Sequence, residues 1–152
     1  MGPPRASPDR FLDGFLPHLL ARGAEAAAEA FHAELRVRGT AVPVWRVLAA
    51  LADGRGETVG ALADTCLMQQ PIMTKLLDRM ARDGLVRRQE NERDRRAVRV
   101  SLTAAGAGRA ADLLALARRH EADLLARHPE AEAIKPVLRA ILARPGRGRT
   151  RP

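Results

Sequence analysis

QQPIMTKLLDRMARDGLVRRQENERDRRAVRVSLT, residues 69–103, changes its hydrophobic period halfway along. Up to Arg82 the apolar residues Ile72, Met73, Leu76, Leu77 and Met80 recur at three and four, the spacing of one helix face. Gln70, Thr74, Lys75, Asp78, Arg79 and Arg82 fill the other face, and Gly84 closes the helix. Beyond Gly84 the period becomes two. LVRR starts one strand, and in AVRVSLT the residues Val98, Val100 and Leu102 alternate with Arg99 and Ser101. The charged run ENERDRR between them is then the tip of a hairpin.

The flanks read as helices. DGRG (53–56) is a turn, and Thr58 is a good N-cap for a short helix, Val59–Asp64, with Leu62 and Ala63 inward. Before it, Pro43 opens a helix whose stripe is Val44, Val47, Leu48 and Leu51. Nearer the start, Phe11, Leu12, Phe15, Leu16, Leu19 and Leu20 step by three and four. Pro17 interrupts them, so a short helix ends near Leu16 or a longer one begins there. That run continues to Val37 with Phe31 and Leu35 on one face, and Gly39 ends it. Downstream, Thr103 caps a long helix to about Arg127, carrying Leu113, Leu114, Leu116, Leu124 and Leu125. Pro129 starts a last helix with Ile134, Val137, Leu138, Ile141 and Leu142, and Pro136 should bend it.

The predicted fold is mainly α with a small β-hairpin wing: a winged helix-turn-helix module over 40–103, with helical regions at 9–39 and 104–143. Residues 1–8 are expected to be a flexible leader and 144–152 a disordered basic tail.

The chain has 152 residues, the size of one domain with a real core, and a net charge of +8 carried almost wholly by Arg. Clustered Arg suits a polyanion, although it also suits a plain solvated surface. The single Cys66 excludes an internal disulfide and fits a reducing compartment. No apolar run is long enough to span a membrane, and the first ten residues lack a signal-peptide core, so a cytoplasmic protein is expected.

The helix 70–82 is of a size to enter a DNA major groove. Gln70 can pair bidentately with adenine, Thr74 offers a hydroxyl and a methyl, and Lys75 reaches guanine or phosphate. The helix N-terminus at Gln69, Gln70 and Pro71 also suits a phosphate, and Arg79 continues the polar face. A basic hairpin directly after such a helix can reach the adjacent minor groove with Arg93, Arg95 or Arg96.

Six pieces in this order resemble the core of a MarR-type transcriptional regulator: WRVL (45–48), TVGALA (58–63), TKLLDRM (74–80), DGLVRR (83–88), DRR (94–96) and LTAAG (102–106). The resemblance spans roughly residues 40–110. It implies an obligate homodimer whose first and last two helices entwine. It also implies a pseudo-palindromic duplex operator, usually repressed. On this chain Asp94 matches the wing aspartate that fixes the loop by pairing with a nearby Arg, and Arg96 matches the arginine that enters the minor groove. Such regulators are often released by small phenolic or carboxylic effectors bound between the dimerisation helices and the winged module. Here that region includes Phe15, His18, Phe31 and Trp45, which equally suit a core. Two departures are Pro71 in the first turn of the helix and Gln69 where a small hydroxyl is usual.

Other classes lack parts. No nucleophile–base spacing, Gly-rich phosphate loop or paired carboxylate supports an enzyme. His18, His32, His120 and His128 are scattered without metal spacing, so no metal and no cofactor is expected. The remaining alternatives are a non-specific architectural DNA binder, or a thiol switch at Cys66. Peroxide-sensing relatives carry their cysteine near the first helix with Tyr partners, whereas this chain has no Tyr.

Overall fold

The helix predicted over 70–82 packs by the face its sequence marks out. The computed structural model describes residues 10–91 and 94–143, and the side chains of all these except 91 and 94–97. The chain divides into two compact units, 1–117 and 118–152. The first holds α1 (Phe11–Gly14), α2 (Leu16–Val37), α3 (Val42–Ala50), β1 (Glu57–Thr58), α4 (Val59–Thr65), α5 (Gln70–Arg82), β2 (Val86–Asn91), β3 (Asp94–Leu102) and the first part of α6 (Ala104–Arg127). The second holds the rest of α6, a 3-10 turn (Pro129–Ala133) and α7 (Ile134–Ala143). The expected leader and tail lie outside the described residues.

Met73, Leu76, Leu77 and Met80 of α5 are buried, each contributing about 1.5–3 kcal/mol relative to exposure. They meet Val47, Leu48 and Leu51 of α3, Leu62 and Ala63 of α4, Val86 and Val100 of the hairpin, and Ala110 and Leu113 of α6 in one core. Ile72 was expected to join them but is 52% exposed. It sits on the edge of the stripe, about 40° beyond Leu76 and about 100° from Met73.

Prolines and caps set the helix starts. Pro17, Pro43 and Pro71 each occupy the second position of a helix, where no intrahelical N–H is needed. At Pro17 both readings hold, since α1 ends at Gly14 and α2 begins at Leu16. Thr58 caps α4 by accepting from the Ala61 amide at 3.2 Å. Pro129 starts the 3-10 turn rather than the last helix, so Pro136 falls in the first turn of α7 and does not sit at an interior bend.

Three helices end in the same way. Gly39 after α2, Leu67 after α4 and Gly84 after α5 all have φ near +60° to +75°. In each, the next amide bonds back five residues: Thr40 to Leu35, Met68 to Ala63, and Leu85 to Met80, all at 2.9 Å. This is the Schellman closure. Gly allows it freely, whereas Leu67, 82% exposed, adopts a left-handed conformation that disfavours side chains. Leu67 is the turn between α4 and α5, so the helix-turn-helix is closed by the least obvious of the three.

The sheet has three antiparallel strands in the order β1-β3-β2, one more than the hairpin expected. β1 is only Glu57 and Thr58, paired with Val100 and Arg99. The β2–β3 register holds from Val86↔Leu102 to Glu90↔Val98 and then shifts before Asn91.

A tight junction joins hairpin to α6. The Thr103 amide donates to Leu85 O at 3.1 Å. Its hydroxyl donates to Gly84 O and accepts from the Gly106 amide. A Cβ on Gly106 would lie 1.9 Å from Leu85 O, so only glycine fits there. In the second unit, Lys135 bridges Glu121 at 2.8 Å and Glu132 at 2.9 Å.

Gly106→Ala should destabilise the chain by on the order of 3 kcal/mol, read from its denaturation midpoint. Gly108→Ala, two residues on in the same helix with open space around it, should be neutral or gain up to about 1 kcal/mol. Equal effects at the two positions would refute the junction.

Candidate nucleic-acid interface

α5 leaves a polar face uncovered beside the hairpin. Gln69, Gln70, Pro71, Thr74, Lys75 and Arg79 are all exposed. Gln69 is the N-cap residue, but its side chain makes no cap bond. The amides of Ile72 and Met73 both donate to Gln69 O, and Pro71 has none. Of these first amides, that of Gln70 is left open to an anion. The Thr74 hydroxyl donates to Gln70 O at 3.0 Å. Its proton is thus engaged, leaving a lone pair and a methyl to face outward. The exposed Ile72 adds an apolar surface at the Lys75 and Arg79 edge of the polar face, of the kind that suits a thymine methyl.

Several arginines serve the scaffold. Arg46 of α3 donates to Cys66 O at 3.3 Å, a cation at the carbonyl end of α4. Arg99 of β3 donates to Gly56 O at 2.7 Å and Arg55 O at 3.3 Å, tying the 53–56 turn to the sheet. Arg109 of α6 donates to Arg38 O at 2.7 Å and to the buried Thr40 hydroxyl. Arg88 pairs with Asp78 of α5 at 2.6 Å. None of these roles was legible in the sequence, because a guanidinium reaches partners tens of residues away. Arg93 lies outside the described residues, as do the side chains of Asp94, Arg95 and Arg96. β3 nevertheless begins at Asp94, which places the backbones of Asp94, Arg95 and Arg96 at the hairpin's far end.

The four residues considered for an effector separate into two groups. Phe31 and Trp45 pack edge to face with ring centroids 5.1 Å apart, and Phe31 is buried. Phe15 stacks on Phe11 at 4.9 Å instead. His18 and Phe31 are thirteen residues apart on α2, or about 20 Å at 1.5 Å per residue. A separate cleft of about 310 Å³ lies beside the C-terminal end of α5, lined among others by Thr40, Val44, Arg79, Met80 and Arg109.

Cys66 is fully buried. Burial pushes its thiol above the ordinary value of 9.0, and Arg46 draws it part of the way back. A reactive thiol needs exposure and a lowered pKa. Among the described residues no three His, Cys, Asp or Glu side chains gather to hold a metal. No described helix is long and apolar enough to cross a membrane.

A short helix packed across a second helix with an open polar face, followed by a hairpin, is a winged helix-turn-helix. The model of the MarR family matches residues 38–97. The crystal structure of the MarR family transcriptional regulator SPO1453 from Silicibacter pomeroyi DSS-3 is 43% identical, covers 88% of this chain and 97% of that one, and superposes with a TM-score of 0.81. The transcriptional repressor CouR, bound to a 23-mer DNA duplex, is 26% identical over 86% of this chain and 94% of its own, with a TM-score of 0.70. NadR in complex with 4-hydroxyphenylacetate, 24% identical over 94% and 99%, shares the fold with a TM-score of 0.72. No curated protein matches. This chain belongs to the MarR family of winged-helix transcriptional regulators.

Cys66 should resist a thiol reagent in the native state and react in denaturant. A thiol whose folded pKa is raised contributes stability that is complete below 9.0 and is lost as pH rises through the folded value. The stability difference between the wild type and Cys66→Ala should therefore shrink above pH 9.0. Rapid native labelling would contradict this.

Proposed function

We propose that the chain is a homodimeric, sequence-specific DNA-binding repressor that a small molecule releases from its operator. The carrying observation is the two-faced α5: four apolar side chains buried, with Gln70, Thr74, Lys75 and Arg79 open beside the hairpin. CouR, bound to a 23-mer DNA duplex, supports duplex DNA as the partner. Gln69, Gln70, Pro71, Thr74, Lys75 and Arg79 meet the major groove and its phosphates. Arg93, Asp94, Arg95 and Arg96 form the wing tip, with Arg96 in the minor groove and Asp94 ordering the loop. Because the Thr74 proton is engaged, Thr74 reads a base donor or a thymine methyl.

Dimerisation is supported by two apolar stripes that are exposed among the described residues. Phe11, Leu12, Phe15, Leu16 and Leu19 on α1 and α2 are exposed, and so are Ile134, Val137, Leu138, Ile141 and Leu142 of α7. Exposed stripes of this extent mark a protein interface. Regions 9–39 and 104–143 supply it, while 40–103 binds DNA. A second copy would bring its own α1–α2 end to complete an effector site that one chain leaves divided between Phe15–His18 and Phe31–Trp45. A phenolic or carboxylic effector need favour the DNA-free arrangement by only ~1–3 kcal/mol. The protein works in the cytoplasm and catalyses no reaction.

Selection of bound fragments from genomic DNA tests this reading. The selected duplex should bind ~10³-fold or more tightly than random duplex, and equal affinity would mean a non-specific architectural binder. Arg96→Ala should weaken that binding and leave the dimer intact. Gln70→Ala should relax preference at one base position per half-site by ~1–3 kcal/mol, whereas a uniform loss over all sequences would make Gln70 a phosphate contact.

A further inference from the structure

Asp78 is the one acidic residue of α5, on a helix whose other charges are Lys75, Arg79 and Arg82. A carboxylate on a surface that meets phosphates opposes binding unless something neutralises it. Arg88 does so. Its Nη1 lies 2.6 Å from Asp78 Oδ1, and its Nη2 donates to Thr74 O at 3.5 Å. Thr74 and Asp78 are four residues apart, so one guanidinium spans a full turn of the helix. The strand explains why Arg88 points there. Val86 is buried against the core, and Arg88, two residues on, leaves the same face of β2. Its backbone is paired with the buried Val100 in the middle of the register. The base of the wing therefore grips the middle of α5 by a planar fork rather than by apolar packing alone.

We propose that Arg88 is a positioning residue for DNA recognition. It fixes the angle between wing and α5 and masks the Asp78 charge, rather than binding phosphate itself. This rests on the reading of α5 as the recognition helix. Both side chains are partly exposed, 37% and 48%, so the pair adds little to global stability and its effect should fall on specificity.

The test is operator and random-duplex binding over a range of salt for wild type, Arg88→Ala, Arg88→Lys, Asp78→Asn and the Arg88→Ala/Asp78→Asn double variant. If Arg88 positions α5, Arg88→Ala and Asp78→Asn each lower the operator-to-random ratio by about 3- to 10-fold, and the double variant loses no more than the worse single one. The salt slope of Arg88→Ala stays within about half a unit of wild type, and Arg88→Lys, which keeps the ion pair but not the fork, recovers part of the ratio. A uniform loss on both duplexes in Arg88→Ala, with the slope reduced by about one, would make Arg88 a phosphate contact and overturn the proposal. An unchanged ratio in Asp78→Asn would overturn it as well, through a variant that keeps the size of the side chain. A wild type without any preference between duplexes would instead overturn the assignment of α5, and this inference with it.

Discussion

The angle between α5 and the hairpin depends on one threonine. Thr103 follows β3, and its amide and hydroxyl bond to Leu85 and Gly84, where α5 has just closed and β2 begins. The same hydroxyl accepts from Gly106 and so caps α6. Four elements are thus fixed by three hydrogen bonds and by the close approach of Gly106 to Leu85 O. Because those bonds are short-range and directional, they determine an angle as well as a distance. Hydrophobic burial of Met73, Leu77, Val86 and Val100 holds α5 against the hairpin, but burial is non-directional. The junction is what turns a packed helix and hairpin into two tools at a set angle.

The arginines divide by task. Net charge of +8 describes them as one population, but Arg46, Arg88, Arg99 and Arg109 each donate to a backbone carbonyl at a helix end, a turn or a helix turn. They staple segments that are far apart in sequence, where a fork of several donors serves better than a point charge. On the proposed function, the groups that face DNA are Lys75 and Arg79 on α5 and the arginines of the wing.

The sequence was legible where physics is local. Period 3.6 up to Arg82, a glycine stop and then period two located α5 and the hairpin, and the Thr58 and Thr103 caps were visible as residue types. What escaped was set by neighbours in space. β1 is two residues long and exists only because β3 lies beside it. Leu67 carries no sign that it will take a left-handed turn. Ile72 looks like a core residue until the stripe's phase is fixed by Met73 and Met80. Pro129 was a correct breaker, but it opens a 3-10 turn ahead of α7. On the candidate site, the exposed face of α5 was legible as a set, whereas the grip of Arg88 on Asp78 requires knowing that β2 crosses that helix. The aromatic residues showed the reverse error: Phe15, just before α2, and Phe31 within it look alike in sequence, yet one is exposed and the other lies in the core.

The central claim is that a dimer presents two copies of α5 to successive major grooves, with a wing on the outer side of each. Hydroxyl-radical and base-methylation footprinting of the chain on its selected duplex measures this directly. The account requires two protected major-groove patches centred about one helical turn, ~10 base pairs, apart. Minor-groove protection should flank each one. A single unbroken footprint without that periodicity, or protection confined to one groove position, would contradict it.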